Sequence, residues 1–347
     1  MEAHNKNSQI KTDSHPLNVS IVITAYKRKN FIRNAIASVT KQELPASRCE
    51  LIIVSNFNLE LEQFPTGIPV LNLVMEGTVG EYLYAGIKMA KYDIIAFLDD
   101  DDEFEIGKID RVLSLFENDD KLVYYHNSFE YIGDAGKPIN YSRMVESRFR
   151  KHGSNPIVFS SSNGIEKLKL ALKHNADFNL SCIVVRKKNL EKYVDLLKNI
   201  ESNQDGFFFW FSVISGGNII VSPEKLTKYR VHGMNVTKSN SFEGKAFEVG
   251  KQIKTYSLIL DYIVKNENSM VNKELIKKWI QMMKVEFEMD QMIFFRIRRN
   301  EFFKKAKLLC GYNSHFSNAL KYRLLFFSCV YLVSPSIGIF IYDKLSR

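Results

Sequence analysis

Ile94-Ile95-Ala96-Phe97-Leu98 runs straight into Asp99-Asp100-Asp101-Asp102-Glu103: five apolar residues, then five acids. A short, uninterrupted apolar run reads as a strand buried on both faces. Upstream, Asn18–Ala25 (NVSIVITA), Leu51–Val54 (LIIV) and Val70–Val74 read the same way. Phe31–Thr40 and Gly80–Ala90 have helical spacing between strands, and Gly107–Phe116 follows the acids as a helix. Alternation of this kind predicts a parallel sheet covered on both faces. Ligands of such sheets bind beyond the carboxyl ends of the strands, where strand order reverses. The acidic run lies at one such end.

Packed carboxylates repel unless a cation or hydrogen bonds neutralise them. Mg²⁺ needs only one or two carboxylates when phosphates and water complete its shell. The run therefore suits a divalent ion holding a diphosphate. A solvated acidic turn opening a helix is the plainer alternative. An EF-hand fails, because Phe104 stands where its glycine belongs and no helix precedes the loop. No GxxxxGK[ST] or GxSxG occurs, and Thr24-Ala25-Tyr26-Lys27-Arg28 is not a dinucleotide-binding turn.

The rest of the 347 residues is less regular. Tyr124–Tyr141 reads as aromatic and irregular, Ile165–Lys173 and Lys188–Leu197 as helices, and Lys225–His232 as a strand. Phe242–Phe303 reads as two long helices, with Trp279, Met282, Met283 and Phe287 on one side. Hydrophobic residues make up 45% and charged residues 25%, which is globular usage and excludes a disordered chain. Four scattered cysteines without CxxC spacing argue against a disulfide framework or zinc site and for a reducing compartment. The net charge is +9, and most of it lies between Arg296 and Arg323. Leu324–Tyr342 then runs 19 residues without a charge, interrupted by Pro335 and Gly338. Basic residues beside an apolar run of this length suit the cytoplasmic face of a membrane. They suit lipid headgroups better than nucleic acid, which is not expected as a partner. Met1–Leu17 is a polar tail without the apolar core of a signal peptide.

Four blocks in order carry a resemblance: VSIVITAYKRKNFIRNAIASV, ELIIVSN, GTVG…AGIKMAKYDIIAFLDDDDEF…GKI, and Gln204-Asp205 followed by Tyr229-Arg230-Val231-His232-Gly233-Met234-Asn235. Together they resemble a family 2 glycosyltransferase of the inverting, GT-A type over about residues 18–240. The resemblance implies a Rossmann-like α/β fold, mostly parallel with helices on both faces, and a mainly helical C-terminal region. It divides residues 18–240 into a nucleotide-binding half (18–120) and an acceptor half (121–240); the charge and apolar pattern adds a helical basic extension (241–323) and an apolar membrane-associated segment (324–342).

By the same resemblance Thr24 and Tyr26 contact the nucleotide, with Asp99 on the ribose and Asp100 beside it in the donor set; Asn56, which offers both a donor and an acceptor, is the candidate for reading the base. Asp101 and His232 hold Mg²⁺ or Mn²⁺, with Asp102 a further candidate. Asp205 is the general base; an N-cap role is its structural alternative. The aromatic run Phe207–Phe211 is expected to be largely core, with one face lining the acceptor. Three positions depart from the family: Ser55-Asn56 replaces an aspartate that reads the base, Leu83-Tyr84 replaces an Arg-Asn pair, and Gln204 replaces a glutamate. Lys27 or Arg28 is a substitute for the missing cation. The implied partners are a nucleoside diphosphate sugar, a glycan or lipid-linked acceptor and the membrane surface. A sugar-phosphate nucleotidyltransferase and a degenerate, membrane-bound transferase are the competing readings.

Overall fold

Strand β1 (Val19–Ala25) pairs in parallel with β2 (Cys49–Ser55) on one side and β4 (Ile94–Asp99) on the other, and β3 (Val70–Val74) pairs in parallel with β2. These coordinates are a computed structural model. They describe residues 16–60, 67–140, 155–160, 176–232 and 242–266, with 168, 171, 174, 276, 277, 280, 281 and 284 singly. Side chains alternate across the strands, so this sheet feeds two cores. Val22, Ile52, Val54, Ile95 and Phe97 face one. Ile21, Ile23, Leu51, Ile53, Ala96 and Leu98 face the other.

Helix α1 (Ile32–Thr40) and helix α3 (Lys108–Asn118) cover the second face with Ile32, Ala35, Ile36, Val39, Ile109, Val112, Leu113 and Phe116. Helix α2 (Val79–Met89) covers the first face. It opens with a capping box: the Glu81 N–H donates to Thr78 Oγ1 and the Thr78 N–H to Glu81 Oε2. Two glycines let α2 approach closely. A Cβ at Gly80 would fall 2.0 Å from the Leu197 carbonyl oxygen, and one at Gly86 would fall 2.5 Å from Val22 Cγ1.

Beyond β4 the sheet becomes mixed. With β5 (Glu103–Phe104), β6 (Leu122–Ile132), β7 (Ile157–Ser160), β8 (Ile183–Arg186) and β9 (Asn218–Arg230), the order runs β3-β2-β1-β4-β8-β6-β9-β5, and β7 also pairs with β9. Strand β8 is antiparallel to β4 and β6; β6 and β9 are parallel. Much of the stretch expected to be irregular is thus the strand β6. Register shifts after Leu122 and on both sides of Ser128 break its alternation, which hides its period from the sequence. The strand expected at Lys225 already starts at Asn218. Only Lys187–Leu190 forms α-helix in the Lys188–Leu197 stretch; Val194–Asn199 is a 3₁₀ turn.

Helix α4 (Gln204–Ser215) corrects a further expectation. Phe207, Phe208, Phe209, Trp210 and Phe211 are all at most 1% exposed. The helix is sandwiched between the sheet and helix α5 (Phe242–Lys265), with Phe208 stacked on Phe97 and Phe211 against Tyr262. None of the five is left to line an acceptor site. The polar tail before residue 16, most of Ile165–Lys173, Trp279, Met282, Met283, Phe287, the basic stretch and Leu324–Tyr342 lie outside the described residues.

Candidate active site

Strand order reverses between β1 and β4, and there Thr24 stands opposite Asp99 and Ala25 opposite Ser55. The carboxyl ends of three parallel strands therefore open into one crevice. After Asp99 the chain turns tightly, with the Asp102 N–H donating to the Asp99 carbonyl at 3.2 Å. Asp100 and Asp102 are each 1% exposed and Asp101 7%. The plain reading of the acids as a solvated turn is thus excluded.

The compensation of these charges is specific. Arg28 donates from Nη2 to Asp100 Oδ1 at 2.5 Å and from Nη1 to Asp101 Oδ2 at 2.7 Å. His232 Nε2 lies 2.9 Å from the same Asp101 Oδ2. The Arg230 N–H donates to Asp102 Oδ1 at 2.9 Å and its Nε to the Asp101 carbonyl at 2.8 Å. Its guanidinium also binds Glu103 and the carbonyls of Gly133 and Asp134, and lies over the Phe31 ring. Burial pushes Asp100 up to about 7, opposed by Arg28. Asp99 and Asp102 are also raised, by burial first and then by the Asp101 charge.

Tyr26 and Asn56 stand at the mouth of this crevice. Tyr26 is 47% exposed, and Asn56 Oδ1 accepts from the Lys27 N–H at 2.8 Å. Lys27 adopts a left-handed φ of 58°, which turns that N–H towards Asn56. Leu83 is fully buried against the sheet, so α2 presents no cation at that position. Of the two substitutes expected for it, Arg28 sits on the acids.

Asp205 is partly exposed. It is not the cap of α4: Asn203 stands at the N-cap position, without a side-chain capping bond, and Asp205 lies in the first turn. Asp205 Oδ2 accepts from the Asn179 N–H at 2.9 Å and Oδ1 from the Gly206 N–H at 3.2 Å. Burial pushes it up to about 6, against the pull of those N–H groups. Asn179 has a φ of 65°, and its Oδ1 accepts from the Ser181 N–H at 2.9 Å. Ser181 Oγ accepts from the Asp99 N–H at 3.0 Å. One short 3₁₀ turn, Leu180–Cys182, therefore ties the strand that carries the acids to the carboxylate of Asp205. The buried Lys108 braces the turn, donating to the Ser181 carbonyl at 2.6 Å and to Thr227 Oγ1 at 2.9 Å. Asp177 lies near Asp205; burial and then the Asp205 charge push it up to about 7.

Sequence reasoning missed Asp177, Asn179, Ser181 and Lys108, which share no motif. Arg230 lay inside a quoted block and was passed over.

The site fits a divalent ion in part. Asp101 Oδ2 and His232 Nε2 converge, and Asp100 Oδ2 is buried without a donor in hydrogen-bonding geometry. Among the described residues no three His, Cys, Asp or Glu side chains gather as a metal site. This donor set suits an ion that brings phosphate oxygens of its own.

Residues 20–194 match the family model of Glycosyl transferase family 2. An uncharacterized glycosyltransferase of Haemophilus influenzae is 26% identical over 198 residues, covering 53% of this chain and 62% of that protein. One of Rickettsia felis is 26% identical over 234 residues, covering 65% of this chain and 35% of that protein. The chain thus spans less than two thirds of the length of these relatives. Among solved structures, S. aureus TarS 1–349 in complex with UDP is similar with a TM-score of 0.57 and 13% identity, covering 95% of this chain and 92% of that chain. TarS 1–349 alone gives 0.53 at 14% identity, over 81% of this chain and 73% of that one. At such identity the likeness speaks for the fold, a GT-A-like mixed sheet. With half of its length inside the family model, the chain belongs to glycosyltransferase family 2.

Proposed function

We propose that the protein moves a sugar from a nucleoside diphosphate sugar to an acceptor hydroxyl, with inversion at the anomeric carbon. The observation that carries this is the link from Asp99 through Ser181 and Asn179 to Asp205. It holds one carboxylate at a fixed offset from the buried acids at the sheet's reversal point. Thr24, Tyr26, Asn56 and Asp99, with Asp100 beside them, hold the nucleoside. Asp101 and His232, with Asp102 behind them, would hold Mg²⁺ or Mn²⁺, which when bound stabilises charge on the leaving diphosphate. Asp205 takes the proton of the attacking hydroxyl, and its upward-shifted carboxyl is suited to that task near neutrality.

The acceptor is a glycan or a lipid-linked glycan. The basic stretch and Leu324–Tyr342 would bring the catalytic region, residues 18–240, to the cytoplasmic face of a membrane. No helix among the described residues is long and apolar enough to cross a membrane.

Asp205→Asn tests the base. The variant is expected to keep nucleotide binding and lose roughly 10²–10⁴ in turnover. The base works only when deprotonated, so wild-type kcat/KM should rise with pH through about 6. That limb should be absent from the residual activity of the variant. Turnover near the wild-type level would remove Asp205 from the mechanism.

A further inference from the structure

Arg28 and a divalent ion have a claim on the same oxygen. Arg28 Nη1 donates to Asp101 Oδ2 at 2.7 Å, and His232 Nε2 lies 2.9 Å from that atom. Arg28 Nη2 donates to Asp100 Oδ1 at 2.5 Å. An ion held by Asp101 and His232 needs Oδ2 for itself, and a dication beside a guanidinium is repelled. The two cations therefore exclude each other. Neighbouring cations are committed elsewhere. Arg230 is fully buried, and its guanidinium is tied to Glu103 and to the carbonyls of Asp101, Gly133 and Asp134. Lys27 and Lys29 turn towards the rings of Tyr26 and Phe57. The Arg28 side chain is 22% exposed, whereas those of Asp100 and Asp101 are 1% and 9% exposed. It reaches the acids from the solvent side and can leave them by rotation about its own bonds.

Charge sets where it would go. An ion on Asp101 brings phosphate oxygens with it, and α2 offers the buried Leu83 there rather than a cation. A guanidinium displaced from carboxylates finds in a diphosphate another planar, bidentate acceptor. We propose that Arg28 is an exchange ligand: it holds Asp100 and Asp101 until the ion arrives, then passes to the diphosphate of the donor. Binding of the ion alone breaks the two Arg28 pairs and replaces neither. Binding of ion and diphosphate together restores them on new oxygens. The two ligands are therefore cooperative, and Arg28 couples them. This inference rests on the transfer reading above and adds an order to it: the ion is held weakly until a donor is present.

The test reads binding to the full chain rather than turnover. Electron paramagnetic resonance of free Mn²⁺ follows the ion, alone and with uridine, guanosine, cytidine or adenosine diphosphate. Equilibrium dialysis follows the nucleotides, with and without Mn²⁺. The wild type should hold Mn²⁺ about tenfold more tightly with its preferred nucleotide than without. Arg28→Gln should bind Mn²⁺ alone more tightly than the wild type, bind the nucleotide with Mn²⁺ about tenfold more weakly, and lose the coupling. Arg28→Lys keeps the charge but cannot span both carboxylates, so it should shift each affinity in the same direction by less; it carries the test if the glutamine variant does not fold. A site merely loosened by the substitution would bind both ligands more weakly, and that result overturns the exchange, as do unchanged affinities. Nucleotide binding without coupling in the wild type removes the role of Arg28 and leaves the transfer reading standing. Failure of all four nucleotides to bind, with or without Mn²⁺, overturns both.

Discussion

Arg28 is the cation that makes the acidic run tolerable inside the protein. Its two nitrogens engage carboxylates that are nearly out of water, and its own side chain is 22% exposed. Removing one partner of such a pair strands the other, at a cost of about 3 kcal/mol for a buried pair and about 2 kcal/mol with this exposure. Without Arg28, the carboxyl of Asp100, already raised, rises further. A carboxyl with a raised folded-state value binds protons more tightly in the native chain. Its burden on stability is absent below about pH 4 and grows until the folded-state value is passed. Arg28→Gln should therefore cost little at pH 4 and most at pH 8, by urea unfolding. Added Mn²⁺ should raise the melting temperature of the variant more than that of the wild type; an equal rise would show that Arg28 and the ion do not share these carboxylates. The acids themselves were legible, because five in a row after a buried strand have few explanations. Asp177, Asn179 and Ser181 were not. Their association depends on the left-handed φ of Asn179, and nothing in a lone asparagine announces such a bend.

Helix α2 shows how elements set the geometry of the crevice. Its first turn is held by the Thr78–Glu81 box, and its Gly80 N–H donates to the Ile200 carbonyl at 3.2 Å. A methyl at Gly80 has nowhere to go, because the atoms in its path are the backbone carbonyls of Leu197 and Ile200. Gly80→Ala should destabilise by about 3 kcal/mol, read from urea midpoints. A loss below about 0.5 kcal/mol would mean that the helix can retreat from the 3₁₀ turn. The elements of the parallel half were readable, since β1, β2 and β4 are buried on both faces and announce themselves as unbroken apolar runs. Strand β6 was not, because its bulges cancel the alternation by which a strand is recognised. The aromatic helix was misjudged for another reason. An all-apolar helix has no polar stripe to mark a solvent face, and α5 covers a side that the sheet does not.

At the scale of the whole molecule, α5 shares a core with the sheet. Tyr256, Ile259 and Ile263 are at most 1% exposed and belong to the same apolar cluster as Val22 of β1 and Phe208 of α4. Their burial contributes about 2 kcal/mol each, a sum comparable to the net stability of a typical domain. A chain ended at residue 240 should therefore unfold at much lower temperature or aggregate, and circular dichroism during heating would show it. Unchanged melting would mean that α5 is dispensable to the fold. The sequence marked 242–303 as helical and outside the catalytic region, but a helix's periodicity does not say which surface it meets.

The turn at Leu180–Cys182 has one more consequence. Because the Ser181 hydroxyl and the Asn179 side chain and backbone N–H join the strand that carries the acids to the Asp205 carboxylate, the two cannot drift independently. The protein carries a built-in caliper, its jaws set by three hydrogen bonds across one short turn rather than by loop closure.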